Sequence, residues 1–289
     1  MSEPALICYL FERRQRMKQM LEDLCFWECS PLFPGREKFE EVFGDDPVLL
    51  VEVVDGPEFH GQPVRRTRWR GAVINLRTMI YHGPQQIALD FGNIFHATAH
   101  LNGSAYFQDS DDAYLKECVH CATTQGFRLT EQQLGNLKVT DFLLTQMSAG
   151  HFQRFEKYRA AANEKNHVLI CDTEHHMGHG PSASHFFPTQ LTHGTVWKFE
   201  PGQCPRRATC FEHLQAQGFN LLDSSHSLSS WVPVLGQLSS RQAKLLSGNG
   251  QHCKVEAAFM LYILGHCERR PTSTMPSPPQ AMPSSSEGA

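Results

Sequence analysis

The chain has 289 residues, 40% of them hydrophobic and 19% charged, with a formal net charge of -4. This is ordinary globular composition, enough for one large domain or two smaller ones, and it excludes a protein that binds nucleic acid through a wholly basic surface. No apolar run reaches the roughly 18–20 residues needed to cross a bilayer, and Ala5–Phe11 lacks the basic lead-in of a signal peptide. The expectation is an intracellular protein, with the nucleus among its candidate compartments and no membrane partner. Ten cysteines in no regular framework fit reduced thiols better than a disulfide scaffold.

In chain order, Ala5–Phe11 reads as a short buried strand closed by Glu12. Met17, Met20, Leu21 and Leu24 then fall at helical spacing, predicting a helix from Arg13 to about Phe26. Cys25 and Cys29 flank Trp27 as core thiols. After a break at Ser30–Gly35, Val48–Val54 and Gly71–Leu76 read as strands, giving an α/β order. Between them stands DGPEFHGQPVRRTRWR. Its arginines at 65, 66, 68 and 70 are the one concentrated patch of positive charge, and their planar, paired donors suit a phosphate, a carboxylate or a base edge. A solvated basic strand edge is the alternative reading.

From about Gln85 to Pro205 strands are hard to place, and the segment reads as an irregular subdomain. Within it, a helix is expected over Gly150–Asn166, with Phe152, Phe155, Tyr158 and Ala162 on one face, followed by a strand at His167–Cys171. Cys118, His120 and Cys121, and separately His175, His176, His179 and His185, have ligand chemistry, but no second Cys-x-x-Cys pair completes a zinc set, so no metal site is expected. Thr209 with Glu212 and Ser239 with Gln242 are capping boxes that open two helices, the first closed by Gly218. Cys253–Leu264 reads as a buried apolar helix. The Pro/Ser-rich tail beyond Arg270 is expected to be disordered.

Four stretches, in order, resemble the second half of the DNA cytosine-5 methyltransferase family. Tyr9 to Arg14, YLFERR, resembles its strand followed by Glu-Asn-Val. GQPVRRTR, from Gly61, resembles Gly-x-Pro-Gln-x-Arg-x-Arg before a strand. EHLQAQGF, from Glu212, resembles Glu-x-x-x-Leu-Gln-Gly-Phe. RQAKLLSGNG, from Arg241, resembles the last Arg-containing helix running into Gly-Asn. The irregular middle falls where that family carries its target-recognition domain.

The resemblance implies a partial Rossmann-like methyltransferase sheet with an irregular target-recognition subdomain. The implied divisions are 1–84 and 206–270 for the α/β part, 85–205 for recognition and 271–289 for the tail. It implies DNA as partner, S-adenosylmethionine as cofactor, and methyl transfer to carbon 5 of a flipped cytosine after thiolate attack on carbon 6. By position, Glu12 is the partner of N3, Arg66 the contact to O2, Arg68 its brace, and Asn249 part of the cofactor pocket. Each has a plainer counterpart: an ion pair of Glu12 with Arg13 or Arg16, a structural brace for the arginines, and a left-handed helix end for Asn249.

The departures are specific. Arg13-Arg14 replaces Asn-Val, Val64 replaces the motif glutamine, and Gly250-Gln251-His252 follows Asn249. The chain holds no Pro-Cys pair and no glycine-rich cofactor turn, so the expected protein is inactive alone. Either a second polypeptide supplies that half, covering the open sheet edge, or the chain is a truncated form; a non-enzymatic DNA-binding regulator is the alternative.

Overall fold

A computed structural model describes residues 3–32, 35–124, 126, 143–144, 147–174, 183–192, 194–219, 221, 232–235 and 238–271. Helix α1 (Glu3–Gln19) is followed by β1 (Leu24–Cys29), α2 (Gly35–Phe43), β2 (Val48–Asp55), β3 (Arg68–Asn75), β4 (Met79–Tyr81), α3 (Ile87–Phe95) and α4 (Asp111–Thr124). Then come α5 (Ala149–Lys165), β5 (Leu169–Asp172), β6 (Ala183–Ser184), β7 (Val196–Phe199) and β8 (Arg206–Arg207). The chain closes with α6 (Cys210–Gln215), α7 (Val232–Leu235), α8 (Ser240–Asn249), α9 (Cys253–Gly265) and β9 (Cys267–Arg269). The architecture is α/β, as expected. No helix among the described residues is long and apolar enough to cross a membrane.

Two units divide the contacts, the first made of residues 1–55, 68–94 and 258–289, the second of 56–67 and 95–257. The first unit is built on a sheet in the order β1-β3-β2, with β3 antiparallel to both neighbours. β1 and β2 therefore run parallel, joined by a crossover through α2, with β3 inserted between them.

The opening of this unit corrects two sequence expectations. Ala5–Phe11 is helical, part of α1, and the strand begins at Leu24, where a helix was expected to continue. Leu6, Leu10 and Met17 are the buried residues of α1, a four- and seven-residue recurrence that only a helix places on one face. A seven-residue apolar run fits either structure, and here the helical period of the following residues extends back through it. In β1 the alternation Cys25, Trp27, Cys29 faces the core with Phe43, Trp69 and Val73. Trp27 lies across from Gly71 on β3, and a Cβ at Gly71 would stand 1.9 Å from the indole ring. That glycine lets the indole cross the sheet at contact distance and meet Trp69, ring centroids 4.0 Å apart.

The second unit is more regular than its sequence indicates. It holds a four-stranded antiparallel sheet, β6-β5-β7-β8. Helix α5 packs Phe155, Tyr158 and Ala162 on it, with Phe155 edge-on to Trp197 and Phe199. Phe152, expected on that face, is 43% exposed. The strands are short, two to four residues, and so left little alternating pattern to read. α5 ends on Asn166 in the left-handed conformation, φ 50°. Both capping boxes form: Thr209 with Glu212, and Ser239 with Gln242. α6 is shorter than expected, and Gly218 reverses the chain after it with φ +83°.

The apolar helix α9 is buried on one side only. Val255, Phe259, Tyr262 and Ile263 are in the core, whereas Leu261 and Leu264 are more than half exposed. His175, His176 and His179 and the tail from residue 272 lie outside the described residues. Cys118 is a buried thiol on α4, and His185 is exposed.

Candidate functional site

The arginine stretch leaves a short 3-10 turn, Pro57–Phe59, and enters β3. Glu58 holds the turn in shape, its carboxylate accepting from the Arg66 backbone N–H at 3.2 Å and the Thr67 hydroxyl at 2.9 Å. Val64, where the resembled motif has glutamine, is buried and forms a parallel bridge to Phe187. Its neighbours are stitched to the same segment, Arg65 donating its N–H to the Phe187 carbonyl and accepting from the Thr189 hydroxyl. An apolar side chain at 64 thus suits the local packing.

Within the first unit, the turn delivers Arg68 onto β3 beside Glu28 of β1. Arg68 Nε lies 3.2 Å from Glu28 Oε1, with the carboxylate side chain 6% exposed and the arginine 21%. Asp55 of β2 stands opposite Arg68 in register, and Arg70, fully buried, donates to the Asp55 carbonyl at 2.7 Å. Two carboxylates and two guanidiniums therefore gather at one end of the three-stranded sheet, where opposite charges lie close together. Arg68 alone of the two arginines keeps contact with solvent.

Burial pushes the thiol of Cys29, the residue after Glu28, up to about 12. Cys25, on the same strand, is pushed to about 12 by the same cause. Neither is a thiolate near neutral pH, so no activated sulfur nucleophile comes from β1.

Glu28, the partner of Arg68, was not singled out in the sequence. The pattern of a buried strand carrying a glutamate near its end belongs to β1, with Glu28 its penultimate residue, not to Ala5–Glu12. Glu12 sits on α1 with its side chain 63% exposed, 3.8 Å from Arg16 in an i,i+4 pair. A strand-end carboxylate cannot come from a helix face turned to water, which corrects the geometry assumed for Glu12. The signal for Glu28 was available in the alternation of Cys25, Trp27 and Cys29, with one acid set inside an apolar strand.

Arg66 does something different from Arg68. It is 3% exposed, and its guanidinium donates to the carbonyls of Gly250 at 2.5 Å and of Gly248 and Gln190 at 3.4 Å. Those first two carbonyls end α8, where the helix leaves acceptors unsatisfied and its dipole favours a cation. Gln217 completes the junction, donating to Gln190 Oε1 at 3.2 Å and to the Ser247 carbonyl. Three of the four stretches singled out in the sequence, around Arg66, Gln217 and Gly248, thus meet in one buried polar network.

Helix α6 is anchored from its other end. Glu212, fully buried, closes the capping box and takes Arg206 Nη1 at 2.7 Å, while Arg206 lies over the Tyr114 ring at 4.9 Å. Burial raises the Glu212 carboxyl above its usual range, a shift opposed by the Arg206 charge.

Asn249 is the last residue of α8 and is exposed. It is helical rather than left-handed, and the chain turns extended only at Gly250, φ -69° and ψ 153°. Beside it is an open hollow of about 530 Å3 lined by Leu238, Gln242, Leu245, Leu246, Asn249 and Gly250. S-adenosylmethionine carries ribose hydroxyls, a carboxylate and a sulfonium, and this described lining offers them aliphatic side chains and two amides with no charged group. The surroundings of Asn249 do not fit that cofactor.

Neither a protein-family model nor a curated protein matches the chain. Among solved structures it is similar to the Entamoeba histolytica methyltransferase EhMeth, at 14% identity and a TM-score of 0.43, with 84% of this chain and 62% of that chain covered. It is also similar to the S. pombe Dnmt2 methyltransferase, at 13% identity and a TM-score of 0.44, covering 84% and 66% respectively. The chain spans less than two thirds of the length of either.

Proposed function

We propose that this chain is the base-recognising part of a DNA cytosine-5 methyltransferase-like protein, with Glu28 and Arg68 as the pair that meets the target base. The observation that carries the reading is the buried Glu28–Arg68 ion pair on adjacent strands, reached directly from the arginine turn. A carboxylate offers an acceptor, or when protonated a donor, to a ring edge; a guanidinium beside it offers fixed donors to a carbonyl oxygen where charge develops. Cytosine presents that combination at N3, the 4-amino group and O2.

Methyl transfer needs a thiolate and a cofactor pocket besides. The sequence has no Pro-Cys pair, the β1 thiols are held protonated, and the lining of the hollow at Asn249 does not fit the cofactor. On this reading the described residues bind DNA, and the thiolate and cofactor pocket come from elsewhere, either a further part of a longer chain or a second polypeptide. The alternative reading is a non-enzymatic regulatory module that pairs with an active methyltransferase.

Calorimetry on the purified chain tests this. S-adenosylmethionine should give no binding heat, whereas DNA should bind, with Arg68→Ala weakening it. Methyl transfer to DNA by the chain alone would refute the division of labour.

A further inference from the structure

Two histidines of the second unit that none of the preceding roles uses meet where the arginine turn begins. His60 caps the 3-10 turn Pro57–Phe59, its backbone N–H donating to the Pro57 carbonyl at 3.0 Å, and His96 directly follows α3. Neither belongs to the cysteine and histidine groups around Cys118 and His175. Backbone pairing holds the two segments side by side: the Ala97 N–H donates to the Phe59 carbonyl at 2.8 Å, and His60 forms a parallel bridge with Ala97. The imidazoles therefore stand ring to ring, centroids 5.5 Å apart and planes at 82°, with Phe59 stacked on His96 at 5.5 Å.

The placing of the donor atoms points to a ligand. One ring nitrogen of His60 lies within 4.8 Å of one of His96. Two imidazole nitrogens on one zinc ion, each at about 2.0–2.1 Å, stand about 3.3 Å apart in a tetrahedral shell, a separation that a small side-chain rotation reaches. Solvent reaches the pair as well, because His96 is exposed and His60 half-buried.

We propose that His60 and His96 together bind a divalent transition-metal ion, with water filling its remaining positions. Imidazole suits zinc, copper and nickel, whereas calcium and magnesium take oxygen ligands, so the donor set selects the class of ion. The bound ion staples the turn that leads to Arg65 and Arg66 onto the chain leaving α3. The site lies wholly in the second unit and does not depend on Glu28 or Arg68.

Calorimetric titration of the full, reduced and chelator-stripped chain with zinc chloride tests this against His60→Ala, His96→Ala and the double variant. The chain's other histidines and thiols can take zinc of their own, so the readout is the difference between the proteins. Each single variant should lose the same zinc equivalent or bind it at least about tenfold more weakly, and the double variant should lose no more than either, because both ligands serve one ion. Zinc should also raise the melting temperature of the unmodified chain further than that of either variant. His96 is exposed, so its replacement leaves the fold intact, and far-ultraviolet circular dichroism checks His60→Ala. Stoichiometry, affinity and melting shift unchanged in the variants, or a loss caused by one histidine and not the other, would overturn the proposal.

Discussion

Two arginines separated by one residue have been given opposite tasks. Arg66 satisfies backbone carbonyls at the end of α8, whereas Arg68 pairs with a carboxylate and stays partly open to solvent. Replacing Arg66 with alanine should therefore lower stability by about 2–3 kcal/mol in urea unfolding, because buried carbonyls lose charge-assisted donors. Arg68→Ala should cost about 1–2 kcal/mol, since its partner Glu28 stays buried but the arginine is partly screened. Near-equal losses in the two variants would contradict this division. Gly71 is a third decisive residue: Gly71→Ala places a methyl inside the Trp27 ring and should destabilise by about 2–3 kcal/mol, with near-ultraviolet circular dichroism reporting the displaced indole.

At the scale of elements, α6 carries a pH dependence. His213 on that helix is wholly buried, and burial, together with the charges of Lys244 and Arg207, pushes its imidazole down to about 3. The unfolded imidazole titrates near its ordinary value of about 6.5. Between those values the unfolded chain binds the extra proton, so this residue's contribution to stability falls as pH drops from about 6.5 towards 3. Unfolding free energies measured across that interval should decline with acid, and His213→Phe should flatten part of the slope. An unchanged slope would mean that the ring is not held neutral.

What could be read of these elements followed the strength of their local signals. The capping boxes at Thr209 and Ser239, the strand at Val48 and the helix before Asn166 carry their own start or stop chemistry and formed close to where they were expected. Ala5–Phe11 carries none. Its apolar residues satisfy a strand and a helix equally, and tertiary packing of Leu6 and Leu10 beneath the sheet decided for helix. With that reversal the glutamate on a buried strand is Glu28, not Glu12. The network joining Arg66, Gln217 and Gly248 spans more than 180 residues of sequence, a relation no local pattern encodes.

For the whole molecule, the central claim is that Glu28 and Arg68 form a pair that selects cytosine. Their setting supports selectivity in a particular way. A site built on buried hydrogen-bonding groups penalises a base that leaves those groups unmatched, so discrimination should exceed the affinity gained from the pair itself. The most direct measurement is the anisotropy-determined affinity of the chain for duplexes that present either cytosine or thymine opposite an abasic position. Tighter binding of the cytosine duplex is predicted, with Glu28→Gln and Arg68→Ala each reducing that preference about tenfold while binding to fully paired DNA changes little. Equal affinity for the two duplexes in the unmodified chain, or a preference that survives both substitutions, would contradict it.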